Sequence, residues 1–318
     1  MPSPVRWNWR DRRRAVIGTL QPQFAGVHVR VPASSANLGP GFDAFGMALA
    51  LYDEVEIRLA GSGTEVTVTG EGAGTLPSGQ RHLVVRALLG AAETLGLDLP
   101  GLRLHCTNVI PHSRGLGSSA AAIVAGIAGA YGLAGMPLDA AALRLAAERE
   151  GHADNVAASL FGALALAWQG PDGFAAVRLE PAAGLRILVL VPEMTSATRV
   201  TRDLLPAVVP HRDAAFTAGR GALLLHALTS DPSLLLAATE DRLHQEYRRS
   251  AWPASMALVD VLRGTGVPAA ISGAGPTVLA FAGNAELPGG VDITGFHPRE
   301  LAIDHGGVTV RTLPDAPG

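Results

Sequence analysis

Residues 110 to 122 read IPHSRGLGSSAAA. Pro111, Gly115 and Gly117, interleaved with Ser113, Ser118 and Ser119, run straight into alanines. A flexible loop feeding a strong helix former places a helix start here. The first backbone N–H groups of a helix have no intrahelical partner and carry partial positive charge. Glycine lets a backbone approach a bulky anion without a Cβ in the way. One reading of the segment is an anion site at the start of a helix that continues through Ala120, Ala121, Ala122 and Ile123. Taken alone, the segment favours the other reading, a plain serine-capped helix.

The rest of the chain narrows the choice. All 25 residues counted as Lys+Arg are arginine, so no G-x-x-x-x-G-K-[ST] phosphate loop exists here. Net charge is −3, with no basic excess of the kind nucleic-acid partners require. At 318 residues, 48% hydrophobic and 17% charged, the chain is globular and long enough for two domains. Cys106 is the only cysteine, which excludes an internal disulfide and a two-cysteine metal site. It is expected as a buried apolar side chain in the strand LRLHCTN. No uninterrupted apolar run reaches the ~18 residues of a membrane span. The basic start has no apolar stretch behind it, so it is no secretory signal. A cytoplasmic chain with no membrane or nucleic-acid partner is expected.

Pattern and punctuation divide the chain into four parts. Residues 1–26 read as a disordered extension, 27–169 as a first domain, 170–283 as a second and 284–318 as a Pro/Gly-rich tail with a short strand at GVTVRTL. VHVRV, DEVEIRLA, TEVTVTG, LRLHCTN, ALALAW, FAAVRL and LRILVLV read as strands, with GSG closing a hairpin between the second and third. Helices are expected over 82–96, from 118 to about 131, over 137–150 with Asp139 as cap, at NVAASLFG, and over about 213–228, 232–245 and 253–264. VPAAIS and TVLAFAG flank a second Gly-rich turn, SGAGPT. Strands and helices mix without strict alternation, so the fold class is α+β.

A third unusual stretch, VPASSANLGPGFDAFGMAL (31–49), reads as a loop leaving a strand. Together with PHSRGLGSSAA and ISGAGPTVLAF, in this order and spacing, it resembles the GHMP kinases. EGHADNVAASLFG, TSATRVTRDLLP and LHQEYRRS resemble the branch of that family whose acceptor is L-homoserine, and the likeness spans roughly 27–283. The resemblance implies a two-domain GHMP-kinase fold: a mixed N-terminal α+β domain that binds ATP and a ferredoxin-like C-terminal domain. It implies ATP-dependent phosphorylation of a side-chain hydroxyl, with L-homoserine and ATP as partners and Mg2+ alongside the nucleotide, in threonine biosynthesis. A homodimer is compatible with it. Two alternatives stay open: a related kinase with a mevalonate-like or sugar acceptor, and a non-catalytic ligand sensor.

The resemblance also assigns roles. Pro111, His112, Ser113, Arg114, Gly115, Leu116, Gly117, Ser118, Ser119, Ala120 and Ala121 would hold the ATP phosphates, the glycines by leaving room for them. Ser118 or Ser119 would face the metal with Glu148, preferred over Glu150; two residues apart on a helix, these carboxylates point about 200° apart. A zwitterionic acceptor needs an anion for its ammonium and a guanidinium fork for its carboxylate. Asp43 suits the first. Arg248 suits the second, with Arg202 beside it and Arg249 as the adjacent competitor. Asn37, His152, Gly273 and Thr198, four residues before Arg202, complete the substrate set. The position where some relatives carry an aspartate base is Asn155, so its expected role is positioning.

Overall fold

The computed structural model describes residues 19–193, 201–282 and 287–314. The expected disorder of 1–26 falls mostly on residues 1–18, outside this range. Residues 20–24 are tied down, Leu20 bonding Gly96 and Asp98, and Gln23 and Phe24 bonding Leu133.

The first sheet has seven strands. β1 (Gly26–Asn37), β2 (Gly41–Leu59), β4 (Leu102–Asn108) and β3 (Thr64–Gly70) lie in the order β11-β1-β2-β4-β3, where β11 is Thr309–Thr312. β5 (Leu164–Gly170) pairs with the start of β2, and β6 (Gly173–Leu179) pairs with β5. α1 (Leu83–Leu95), α2 (Ser118–Leu133), α3 (Ala140–Glu150) and α4 (Asp154–Phe161) accompany this sheet. α2 is apolar nearly all round, the mark of a central helix. Its glycines are packing devices. A Cβ on Gly126 would strike the Val84 carbonyl and lie 2.8 Å from the Ala87 Cβ, both on α1. One on Gly129 would strike Ile57 of β2.

The second sheet is antiparallel, in the order β10-β7-β9-β8, from β7 (Ile187–Pro192), β8 (Ala269–Ile271), β9 (Val278–Phe281) and β10 (Phe296–Leu301). Counted within this unit, that is fourth, first, third, second: the ferredoxin-like sheet that was expected. β7 is buried throughout, and its period-2 alternation splits its side chains between two cores. Leu188 and Leu190 meet Met256, Val259 and Leu262 of α6 (Pro253–Gly264). Ile187, Val189 and Val191 join the main core with Leu224 and Leu228 of α5 (His211–Thr229).

Several expectations change. The stretch 31–49 is mainly strand: β1 and β2 form a hairpin whose turn is Leu38–Pro40. β2 and β3 do not pair with each other, because β4 lies between them, antiparallel to β2 and parallel to β3. The GSG connection crosses that strand's width, with Ser62 packed over Gly101. Residue 170 is inside the β5–β6 hairpin, so the first sheet runs on to Leu179. The short strand expected at GVTVRTL is β11, an edge strand on β1, and the supposed tail also supplies β10, an edge strand on β7. Both strands are mostly exposed, so they lack the apolar signal of an interior strand. The helix expected over 232–245 is reduced to the turns Pro232–Leu234 and Leu235–Ala238. Asp139 caps α3 as expected, accepting from the N–H groups of Ala141 and Ala142.

Gly126 gives a test with a definite sign. Alanine is the better helix former by ~1 kcal/mol. Overpacking against the α1 backbone costs ~1–3 kcal/mol. Gly126→Ala is expected to lower the melting temperature, as measured by circular dichroism.

Candidate active site

Three turns meet where the two sheets adjoin. The first ends β1, where Asn37 and Leu38 hold positive φ of 68° and 49°. Asparagine tolerates this backbone, and its side chain bonds both ways. Asn37 Nδ2 donates to the Gly273 carbonyl at 2.9 Å, and Asn37 Oδ1 accepts the Asp43 N–H at 3.0 Å. Asp43 also has positive φ, 55°. The carboxyl group of one turn and the backbone of another are thus set by a single amide.

The second turn is the loop before α2. Asp53 anchors its start, accepting from the N–H groups of Val109 and Ile110 at 2.7 and 2.9 Å. Burial raises the pKa of that carboxyl, and the two backbone bonds counter the effect. The N-cap of α2 is Gly117, at φ 71°, with no side-chain cap bond. The plain serine-cap reading therefore fails, and the first N–H groups of α2 open into a cleft of about 140 Å³. The glycines serve the protein first. A Cβ on Gly115 would strike the Ser272 carbonyl, and one on Gly117 the Ser34 hydroxyl. Arg114 spends its guanidinium on the carbonyls of His112, Pro192 and Glu193, tying the loop to the end of β7.

The third turn, SGAGPT, joins β8 to β9 as expected. Ser272 Oγ donates to the Gly115 carbonyl at 2.6 Å and lies 2.8 Å from Ser35 Oγ. Gly273 N–H donates to the Ala36 carbonyl at 3.0 Å.

Asn37, Phe42, Asp43, Ser113, Gly115, Gly117, Ser118, Ser119, Glu150, His152, Asp154, Asn155, Arg202, Arg248 and Gly273 line the one cleft. The structure separates the two candidate metal carboxylates. Glu148 is exposed and does not line the cleft. Glu150 does, and Ser119 Oγ donates to its Oε2 at 2.8 Å. Burial pushes the Glu150 carboxyl above its ordinary pKa. Among the described residues no cluster of three His, Cys, Asp or Glu forms a metal cage. A hydroxyl and one carboxylate fit a magnesium ion held mainly by nucleotide phosphates and water.

At the other end, Arg202 Nη2 pairs with Asp43 Oδ1 at 2.6 Å. The guanidiniums of Arg202 and Arg248 each lie 5.5 Å from the Phe42 ring centre. Arg248 is 2% exposed. Desolvation and the Arg202 charge pull its pKa down to about 10, against the pull of Asp43 and Asp241. Arg249 points elsewhere, paired with Glu246 and Asp260. His152 Nδ1 donates to the buried Asp154 at 2.6 Å. Burial opposes its charge, but the bond to Asp154 and the Asp154, Glu150 and Asp43 carboxylates raise its pKa overall. Asn155 Oδ1 accepts from Ser34 Oγ at 3.0 Å. Thr198 lies outside the described residues.

The sequence reading missed the supports: Phe42, Asp53, Asp154, Ser34 and His244. His244 stands four residues before Arg248, which was the available signal. It also missed His82, 4% exposed, with neither ring nitrogen hydrogen-bonded.

An open helix start facing a paired carboxylate and guanidinium across one cleft is the layout of a small-molecule phosphotransferase. Residues 82–163 match the family model described as the GHMP kinases N terminal domain. A homoserine kinase of Streptomyces coelicolor is 52% identical over 299 residues, covering 92% of this chain and 96% of that protein. One from Mycobacterium tuberculosis is 48% identical over 81% of this chain and 84% of that protein. The crystal structure of homoserine kinase from Cytophaga hutchinsonii superposes with a TM-score of 0.79 at 27% identity, covering 92% of this chain and all of that one. The chain therefore belongs to the homoserine kinase family of the GHMP kinases, and it is an ATP-dependent phosphotransferase. No helix among the described residues is long and apolar enough to cross a membrane.

Gly115→Ala tests the contact between the loop and the third turn. Its positive φ of 79° and the Ser272 carbonyl both oppose a Cβ. The variant is expected to melt at lower temperature and to raise the KM for ATP more than that for the acceptor, read by steady-state kinetics.

Proposed function

We propose that this chain transfers the γ-phosphoryl group of ATP to the side-chain hydroxyl of L-homoserine, giving O-phospho-L-homoserine for threonine biosynthesis. One observation carries the reading: an uncapped helix start and a paired Asp43–Arg202 site, with Arg248 beside it, open into the same cleft. ATP phosphates would lie on the N–H groups of residues 113–120, where partial positive charge stabilises an anion by ~0.3–1 kcal/mol, rising to ~2 when partly buried. Ser119 and Glu150 would hold magnesium, with Ser118 beside them. When bound, that ion neutralises charge on the phosphate oxygens.

The acceptor is placed by its own charges. Asp43 takes the ammonium, and Arg248 with Arg202 takes the carboxylate. A mevalonate-like or sugar acceptor leaves the Asp43 charge without an ammonium to match. Asn37 fixes Asp43, and His152 and Gly273 complete the wall. Asn155 cannot take a proton. Its amide, braced by Ser34, positions the acceptor or the transferring group, and the hydroxyl proton leaves to the phosphate or to water. Phosphoryl transfer tolerates this because its loose transition state depends mainly on placement and charge.

The direct test is ADP release with ATP and magnesium, comparing L-homoserine, mevalonate, galactose and no acceptor. Release that depends on L-homoserine is expected; release with another acceptor overturns the assignment. Arg248→Ala removes a charge-assisted contact of ~1.5–3 kcal/mol, so the acceptor KM is expected to rise ~10- to 100-fold while that for ATP holds. Glu150→Gln is expected to raise the magnesium concentration needed for half-maximal rate, and Glu148→Gln to leave it unchanged.

A further inference from the structure

Arg248 is buried, and among the described residues it forms no ion pair with a carboxylate. Its Nη1 instead lies 2.7 Å from His244 Nδ1, and its Nε donates to the Thr201 carbonyl at 3.3 Å. A guanidinium has donors only. His244 Nδ1 must therefore be the acceptor, which makes the ring neutral with its proton on Nε2. The other side of the ring agrees: Nε2 lies 2.7 Å from the Gly39 carbonyl, which can only accept. Both bonds together admit one tautomer. The ring face stacks on Phe42, with centres 5.2 Å apart. Asp241 caps the turn that carries the histidine, accepting from the N–H groups of Leu243, His244 and Gln245. The charged groups around His244 are Asp241, Arg248 and Asp43. Burial lowers its pKa and so favours the neutral form.

We propose that His244 is a positioning residue for the acceptor: one neutral imidazole aims the Arg248 fork from Nδ1 and fixes the turn before Asp43 from Nε2. Through it, the cation for the acceptor's carboxylate and the turn that presents the anion for its ammonium are held at one spacing. This rests on the reading of Arg248 as the carboxylate clamp.

Two substitutions separate the two arms. His244→Asn carries its amide oxygen on the same atom that bears Nδ1, and so keeps an acceptor for Arg248. His244→Gln reaches one bond further, keeping a donor for Gly39 but carrying its acceptor oxygen away from the Nδ1 position. The acceptor KM is expected to rise at least ~10-fold in His244→Gln, with the KM for ATP unchanged, and to return toward the native value in His244→Asn. An unchanged acceptor KM in His244→Gln, or equal rises for ATP and acceptor in both variants, overturns the proposal. Arg248→Ala is the control: if it leaves the acceptor KM untouched, the clamp reading itself is wrong, whatever the His244 variants do. A measurement on the native protein does not depend on whether the variants fold. Nitrogen NMR with labelled histidine at neutral pH is expected to show His244 protonated on Nε2 alone. A proton on Nδ1 overturns the proposal.

Discussion

Ser272 Oγ donating to the Gly115 carbonyl is the contact on which the site depends. It presses the turn of the second sheet onto the loop of the first with no space for a Cβ at Gly115. Asn37 adds a second tie to the same turn through the Gly273 carbonyl. Backbone carbonyls accept both bonds, so side chains of one sheet's turns hold the backbone of the other's. Arg114 repeats the logic on the other flank, binding the loop to the carbonyls that end β7. Each tie crosses from one sheet to the other.

The charges follow a different rule. A buried ion is costly unless paired and hydrogen-bonded. Arg248 is buried yet bonded to a neutral ring and a carbonyl, which hold it without cancelling its charge. Asp43 and Arg202 face each other at a half-open surface, where solvent screening keeps an ion pair weak and exchangeable. On the proposed reading, a zwitterionic ligand would replace that pair with two of its own and add a contact to Arg248, which forms no carboxylate ion pair among the described residues. The cleft is thus held by side-chain bonds to backbone carbonyls, while Asp43, Arg202 and Arg248 make only exposed or charge-neutral contacts.

Much of this was legible in the residues. The loop at 110–122, the helix it opens and the two outer turns were marked by glycine, serine and asparagine, whose backbone preferences act locally. Asn37 and Asp43 stood within those stretches, His152, Arg202 and Arg248 in the further segments that the family resemblance marked, and all five line one cleft. The Glu148 and Glu150 choice was not legible. The helical angle separates the two carboxylates, but which of them faces Ser119 depends on how α3 is rotated against α2. Nor was the insertion of β4 between β2 and β3, since sequence order gave only the GSG link. The edge strands near the C-terminal end carry too little apolar signal to reveal their partners.

The sequence by itself determined the local geometry: where the chain turns, where α2 starts, and which polar groups stand at the turns. Those follow from φ preferences and periodicity within a few residues. Tertiary structure alone decided that Gly115 meets Ser272, that Glu150 reaches Ser119, and that His244 stands between Gly39 and Arg248. These contacts join residues up to 205 positions apart, as His244 and Gly39 are. Their existence depends on how two sheets dock, and docking is set by the shape of the whole core rather than by any one segment.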